Sequence, residues 1–242
     1  MYKLKVYLVC SASLLCLFLF GGLLYTAFQE TPAVPTASAV QKELPVIVID
    51  AGHGGEDSGA VDNGLFEKDI NLSIALMLRD MLTVCGYEVR MIRETDVSVY
   101  DASASAIREK KVSDLKNRTA VINENTKQIL VSIHQNKFEQ SQYYGTQIFY
   151  ASQHTESERL AESIRKSVTG LLQPDNRREL KPADNNIYIL NHAEVPAVIV
   201  ECGFLSNAEE AKKLADPLYQ QQMAFAVCCG VLSYAETYSG LT

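Results

Sequence analysis

Apolar residues along this chain fall into two rhythms. Short blocks, Val46–Ile49, Ile129–Ile133 (apolar but for Ser132) and Ala197–Val200, have the composition of strands buried on both faces. Between and after them a 3.6-residue rhythm predicts helices. Leu72, Ala75, Leu76, Arg79 and Leu82 place one over Glu67–Val84, closed by Gly86. Val112, Leu115, Thr119 and Ile122 place a second over Lys111–Glu124. Further helices are expected over Glu156–Leu172 and Pro217–Tyr238, the latter with Pro217 in its first turn. Tyr87–Ile92, Thr146–Tyr150 and Ile187–Leu190 read as additional strands. Strand and helix alternate without an internal repeat. That pattern predicts an α/β domain, a mainly parallel sheet with helices on both faces.

The amino terminus follows another pattern. Lys3 and Lys5 precede an uncharged, largely apolar run from Val6 to Gln29, long enough to cross a bilayer as a helix. Basic residues before such a run keep its amino end in the cytoplasm, so the remainder of the chain is expected outside. Residues 1–29 therefore read as a signal anchor or signal peptide, residues 30–44 as a linker containing Pro32 and Pro35, and residues 45–242 as the catalytic domain. Ala37-Ser38-Ala39 offers small residues for a signal peptidase but lies well past the apolar run, which favours the retained anchor.

Composition narrows the partners. The 242 residues carry a net charge of −7, and the part after Lys3 and Lys5 carries two more negative charges than the whole, −9. No basic stripe for nucleic acid is present. Of six cysteines, Cys10 and Cys16 belong to the apolar run; the other four form no CxxC pair, and Cys228 and Cys229 lie in a core-like helix. No disulfide framework is expected.

The chemistry concentrates at strand ends. His53 follows the first apolar block through Asp50-Ala51-Gly52, His134 follows the second directly, and Glu201 follows the third directly. In an open α/β sheet the carboxyl ends of parallel strands share one edge, where sites are built. Two imidazoles with Glu67 and Glu201 suit a catalytic zinc ion: three protein ligands, an open position for water and a spare carboxylate as base. Glycines 52, 54, 55 and 59 let the chain turn sharply around His53. Glu67, at a helix start, is also explained by the helix dipole alone, whereas a charge directly after Val198-Ile199-Val200 is costly without a purpose. Cys202 alternates to the opposite side from Glu201 and reads as packing. His154 and His192 sit in polar surroundings away from these ends, and Asn136 is a candidate substrate donor. Spacing alone does not say which glutamate binds metal and which acts as base.

Four segments carry a resemblance. Asp50 to Ala60 with His53 and its glycines, Glu67-Lys68-Asp69, Ser132-Ile133-His134-Gln135-Asn136, and Val200-Glu201 through Ser206-Asn207 resemble, in order, the motifs of zinc-dependent N-acetylmuramoyl-L-alanine amidases. Arg93, Leu115, Arg118, Asn123, Gly145-Thr146 and Phe149-Tyr150 add to it, over Pro45 to Tyr238. Gln135 departs from the resembled pattern, in which many members carry alanine between the His and the Asn, and Cys202 is another variable position. The resemblance implies a twisted, mostly parallel sheet. It implies His53, Glu67 and His134 as zinc ligands and Glu201 as the catalytic carboxylate. The implied reaction is hydrolysis of the amide between N-acetylmuramic acid and the L-alanine of a peptidoglycan stem peptide. The stretch Thr95–Arg118 resembles the germination-specific amidases of spore formers, which help form muramic-δ-lactam in the cortex. Peptidoglycan glycan and stem peptide are the expected partners, with the membrane at the amino terminus, no nucleic acid, and an activating protein left open. A vegetative wall amidase in cell separation or turnover, another zinc wall hydrolase (peptidase or deacetylase) and a non-catalytic wall-binding module are the alternatives.

Overall fold

The structure, a computed structural model, describes residues 44–238. The expected membrane or signal segment at 1–29, and all of the 30–44 linker but Leu44, lie outside the described residues. Among the described residues no helix is long and apolar enough to cross a membrane.

Among the described residues eight strands and six helices alternate. They are β1 (Val46–Ala51), β2 (Val61–Asp62), β3 (Leu65–Phe66), α1 (Glu67–Val84), β4 (Val89–Met91) and α2 (Ile107–Ile122), then β5 (Gln128–Asn136), β6 (Gln147–Tyr150), α3 (Thr155–Leu171), β7 (Lys181–Pro182) and α4 (Tyr188–His192), and last β8 (Ala197–Phe204), α5 (Ala208–Ala215) and α6 (Pro217–Thr237). Six strands form one sheet in the order β4-β1-β5-β8-β6-β7. β4, β1, β5 and β8 run parallel; β6 runs antiparallel to β8, and β7 parallels β6. The expected mostly parallel sheet is therefore present, with a single reversal between β8 and β6.

Each face of the sheet buries its own core. Ile47, Ile49, Val131, Val198 and Val200 pack against α1, α3 and α6 through Ile74, Leu78, Leu160 and Val227. Val48, Leu130, Ala197 and Ile199 pack the other face against Ile122 of α2 and Ile189 and Leu190 of α4. Strands covered on both sides explain why their sequences are apolar throughout rather than alternating. In α1 the buried positions Ile70, Ile74, Leu78 and Leu82 recur every fourth residue, and Gly86 ends the segment at φ +88. α6 begins at Pro217, with the Asp216 carboxylate accepting from Leu218 N.

Several elements differ from the sequence reading in type or bounds. Ile187–Leu190, expected as a strand, lies at the start of the short helix α4. A four-residue apolar run has no distinguishable period, and here helical geometry lets Ile189 and Leu190 both reach the α2-side core. α2 starts four residues earlier than expected, because Glu109 reaches back to accept from the backbone N–H groups of Ser105 and Ala106. β4 is shorter than Tyr87–Ile92. The hairpin of β2 and β3, the strand β7 and the helix α5 had no counterpart in the sequence reading; Asn207 caps α5 by accepting from Glu209 and Glu210 N.

Candidate active site

The turn that leaves β1 is built for position. His53 sits at φ +62, in the left-handed region that costs a non-glycine residue, followed by Gly54 and Gly55, also at positive φ. Two buried guanidinium groups hold this backbone from below. Arg93 donates to the carbonyls of Ala51 (2.8 Å), Gly52 (3.0 Å) and Lys68 (2.8 Å). Arg118 donates to those of Ala51 (3.2 Å) and His53 (2.8 Å). Arg118 is itself fixed by Asp50 at 2.5 Å and Asp114 at 2.6 Å. Burial pushes the Asp50 carboxyl up, but Arg118 outweighs it and, helped by His134 and Ser132, keeps Asp50 below the usual range.

Above this base the predicted ligands converge. Asp57 holds His53 Nδ1 at 2.8 Å, which leaves Nε2 facing Glu67 Oε1 at 3.3 Å. His134 Nδ1 reaches the same Oε1 at 2.9 Å. One donor atom each from His53, Glu67 and His134 lies within 4.8 Å of the others. Glu67 is buried at the first position of α1. Its Oε2 accepts from Ala60 N at 2.7 Å and its Oε1 from Gln135 N at 3.1 Å. Burial raises its pKa, yet hydrogen bonds to His134 and His53 hold it far below the carboxylate range. For His53 burial lowers the pKa, and the bonds to Asp57 and Glu67 overcome that and lift it to about 9.

Glycines make the room. A Cβ on Gly52 would lie 2.2 Å from the His134 ring, and one on Gly59 would lie 2.6 Å from Glu67 Oε2. Two imidazoles and a carboxylate, with His53 oriented by Asp57, form a donor set suited to zinc. The Asp57 and Glu67 carboxylates that lift His53 to about 9 against burial also favour a cation here. The residues fit the metal that the sequence implies.

Glu201 stands opposite His134 in the β5–β8 register, on the face that carries Ile199 rather than Cys202. It is not one of the three clustered donors. Its Oε2 is buried without a hydrogen-bond partner among the described residues. Burial pushes its pKa up to about 7, against the pull of His134 and with a further push from Glu67. A half-buried carboxylate with a buried, unpartnered oxygen and a pKa pushed up to about 7 is suited to moving a proton.

The other sequence candidates fall elsewhere. Asn136 Oδ1 accepts from Lys137 N, and its NH2 group has no hydrogen bond among the described residues. His154 precedes α3, and His192 stacks on Tyr188 at 3.9 Å; neither joins the cluster. Cys202 is buried in the core of the opposite face, where burial pushes its thiol well up. Sequence reasoning missed the roles of Asp57, Asp50 and the two arginines. A charge inside the apolar strand Val46–Ala51 was the available signal for Asp50.

A cleft of about 410 Å³ opens beside His53 and His134. Asp50 and Arg118 line it, with Leu115 and Ile189 as apolar wall and Tyr100, Lys110 and Lys111 on the side of α2.

Residues 47–233 match the family profile described as N-acetylmuramoyl-L-alanine amidase. The germination-specific N-acetylmuramoyl-L-alanine amidase of Bacillus subtilis (strain 168) is 34% identical over 189 residues, covering 78% of this chain and 79% of that protein. The CwlD amidase of Clostridioides difficile, solved in complex with the GerS lipoprotein, superposes with a TM-score of 0.77 at 41% identity, over 80% of this chain and 100% of that one. A crystal structure of an N-acetylmuramoyl-L-alanine amidase from Clostridium difficile 630 gives a TM-score of 0.69 at 29% identity, over 81% and 99%.

Proposed function

The chain belongs to the N-acetylmuramoyl-L-alanine amidase family, and on that premise we propose a zinc-dependent reaction in which His53, Glu67 and His134 hold the metal and Glu201 moves the proton. The chain is a hydrolase of peptidoglycan, acting on the linear amide between N-acetylmuramic acid and L-alanine. One observation carries the division of roles. Both imidazoles share Glu67 Oε1, whereas the neighbouring Glu201 Oε2 has no partner at all among the described residues.

Zinc in such a site supplies Lewis acidity toward a carbonyl and makes water a nucleophile near neutral pH. The protein's residues do the rest. Asp57 fixes the His53 tautomer so that Nε2 points inward. Arg93 and Arg118 hold the strained turn that presents it. Glu201 Oε2 takes the proton of the attacking water and returns it to the departing alanine nitrogen. A positioned acid–base group of this kind contributes about 10²–10⁴-fold.

The biological setting follows from the relatives. Similarity to a germination-specific amidase supports a role in the spore cortex. A relative solved with a lipoprotein supports a protein partner of that kind here too. The apolar run from Val6 to Gln29 supports export, with residues 45–242 outside the cytoplasm behind the 1–29 segment and the 30–44 linker, either anchored or released by cleavage.

Metal analysis of the full chain, with mass spectrometry of digested muropeptides, tests the reading. An amidase frees whole stem peptides that begin with L-alanine; a peptidase or deacetylase does not. Glu201→Gln is expected to keep zinc and lose nearly all turnover, and Glu67→Ala to lose both. The opposite outcome reverses the two roles.

A further inference from the structure

The cleft beside the ligand cluster is lined by many charges, and nearly all are matched. Lys110 bonds Glu56 at 2.7 Å, and its ammonium lies 4.9 Å from the centre of the Tyr100 ring. Asp57 is held by His53, and Asp50 and Asp114 by Arg118. Lys111 differs. It lines the same cleft as His53 and His134, is exposed, and has no hydrogen bond or ion pair among the described residues.

The charge of Lys111 reaches Asp57, which His53 already holds, and a cation without a hydrogen-bonded partner in such a cleft is a site for an anion that arrives with the substrate. We propose that Lys111 binds a carboxylate of the stem peptide, on the side of the scissile amide that leaves with L-alanine. The site is thereby selective for peptides that carry a free acid just beyond that alanine. This rests on the amidase reading above. Peptidoglycan stem peptides place an acidic residue in that position, and in some walls its free carboxylate is amidated, so the contact separates two natural substrate forms. The Lys110–Glu56 pair next to it completes the selectivity, because Glu56 neutralises one lysine and leaves a single positive charge rather than a patch.

The test uses the zinc-loaded full chain and two muropeptides that differ only in whether the second residue carries a free carboxylate or its amide. The free acid is expected to be hydrolysed with kcat/KM greater by on the order of tenfold, the size of one charge-assisted hydrogen bond in a solvated cleft. Lys111→Gln should erase the difference through KM with kcat unchanged, since the contact is the same in substrate and transition state. Lys111→Glu should reverse the preference. Titration of both substrates into the Glu201→Gln chain reads the same contrast as affinity, without turnover. Equal rates for the two substrates in the unsubstituted protein, or full discrimination retained by Lys111→Gln, overturn the proposal. Release of stem peptide from neither substrate would instead sink the amidase reading, and this proposal with it.

Discussion

Glu201 gives a prediction on stability that is independent of turnover. The residue is half-buried, but its Oε2 is buried and has no partner among the described residues, and its pKa rises from the ordinary 4.5 to about 7. A folded-state pKa above the unfolded one means that protonated Glu201 favours the fold. That contribution is complete below pH 4.5 and is lost as pH rises to about 7. Each tenfold change in the ionisation constant is worth about 1.4 kcal/mol, so the rise amounts to about 3 kcal/mol of stability missing at pH 8. Glutamine has the same shape and does not titrate. In the metal-free full chain, Glu201→Gln should therefore gain on the unsubstituted protein between pH 4.5 and 7 and stay ahead above it. At roughly 2–4 °C per kcal/mol for a domain of this size, the gap at pH 8 is about 6–12 °C in Tm. Thermal unfolding of both proteins in chelator, at pH 5 and pH 8, measures it. A gap that does not widen between those two pH values refutes the reasoning. Zinc should narrow the gap at pH 8, because a nearby cation relieves the buried carboxylate.

Other residues around the site yield sharper local outcomes. Arg118→Met strands the buried Asp50 carboxylate with Ser132 as its remaining hydrogen-bond donor, and should lower the stability read from denaturant unfolding by about 3–5 kcal/mol; a loss below about 1 kcal/mol would mean the turn is held by other contacts. Asp57→Asn removes the carboxylate that orients His53 and should weaken zinc binding about 10–100-fold in a chelator competition. Gly59→Ala drives a methyl to within 2.6 Å of Glu67 Oε2 at a backbone φ of +63 and should empty the site of zinc, whereas Gly64→Ala, at φ +75 with open space around it, should cost about 1 kcal/mol of stability and leave zinc content unchanged.

What the sequence made legible was set by burial. β1, β5 and β8 are covered on both faces, so Val46–Ile49, Ile129–Ile133 and Ala197–Val200 are apolar runs, broken only by Ser132, that no helix rhythm competes with. Ile187–Leu190 is just as apolar and turned out helical, because four residues carry no period and the choice was made by the core it packs against. The positions that converge, His53, Glu67 and His134, were legible as well, with one shift. β5 runs on to Asn136 and β8 to Phe204, so His134 and Glu201 lie within strands and not beyond their ends. That shift matters physically. Within a strand the pleat fixes which way a side chain points, and the register that pairs His134 with Glu201 puts both on the face of the cleft. No spacing in the sequence encodes a register between strands that are 67 residues apart along the chain, which is why the two glutamates were indistinguishable until the sheet was assembled.

The arginines beneath His53 show a kind of information that one sequence does not display. Asp50, Arg93 and Arg118 are almost completely buried, and taking an ion out of water costs several kcal/mol even after relaxation. An apolar trio would serve stability at least as well. The geometry indicates what these charges do instead: the two guanidinium groups donate to the successive carbonyls of Ala51, Gly52 and His53, the three residues that carry the chain off the sheet into a left-handed turn. Backbone strain of about 1–3 kcal/mol persists only where its surroundings over-determine it. A planar fork with fixed donor directions does that better than an apolar contact, which has no preferred angle. Arg118→Lys separates the two roles, since lysine keeps the charge beside Asp50 and gives up the fork. If stability recovers in that variant while zinc affinity does not, the fork serves the position of His53; if both recover together, the charge alone is sufficient and the geometric argument fails.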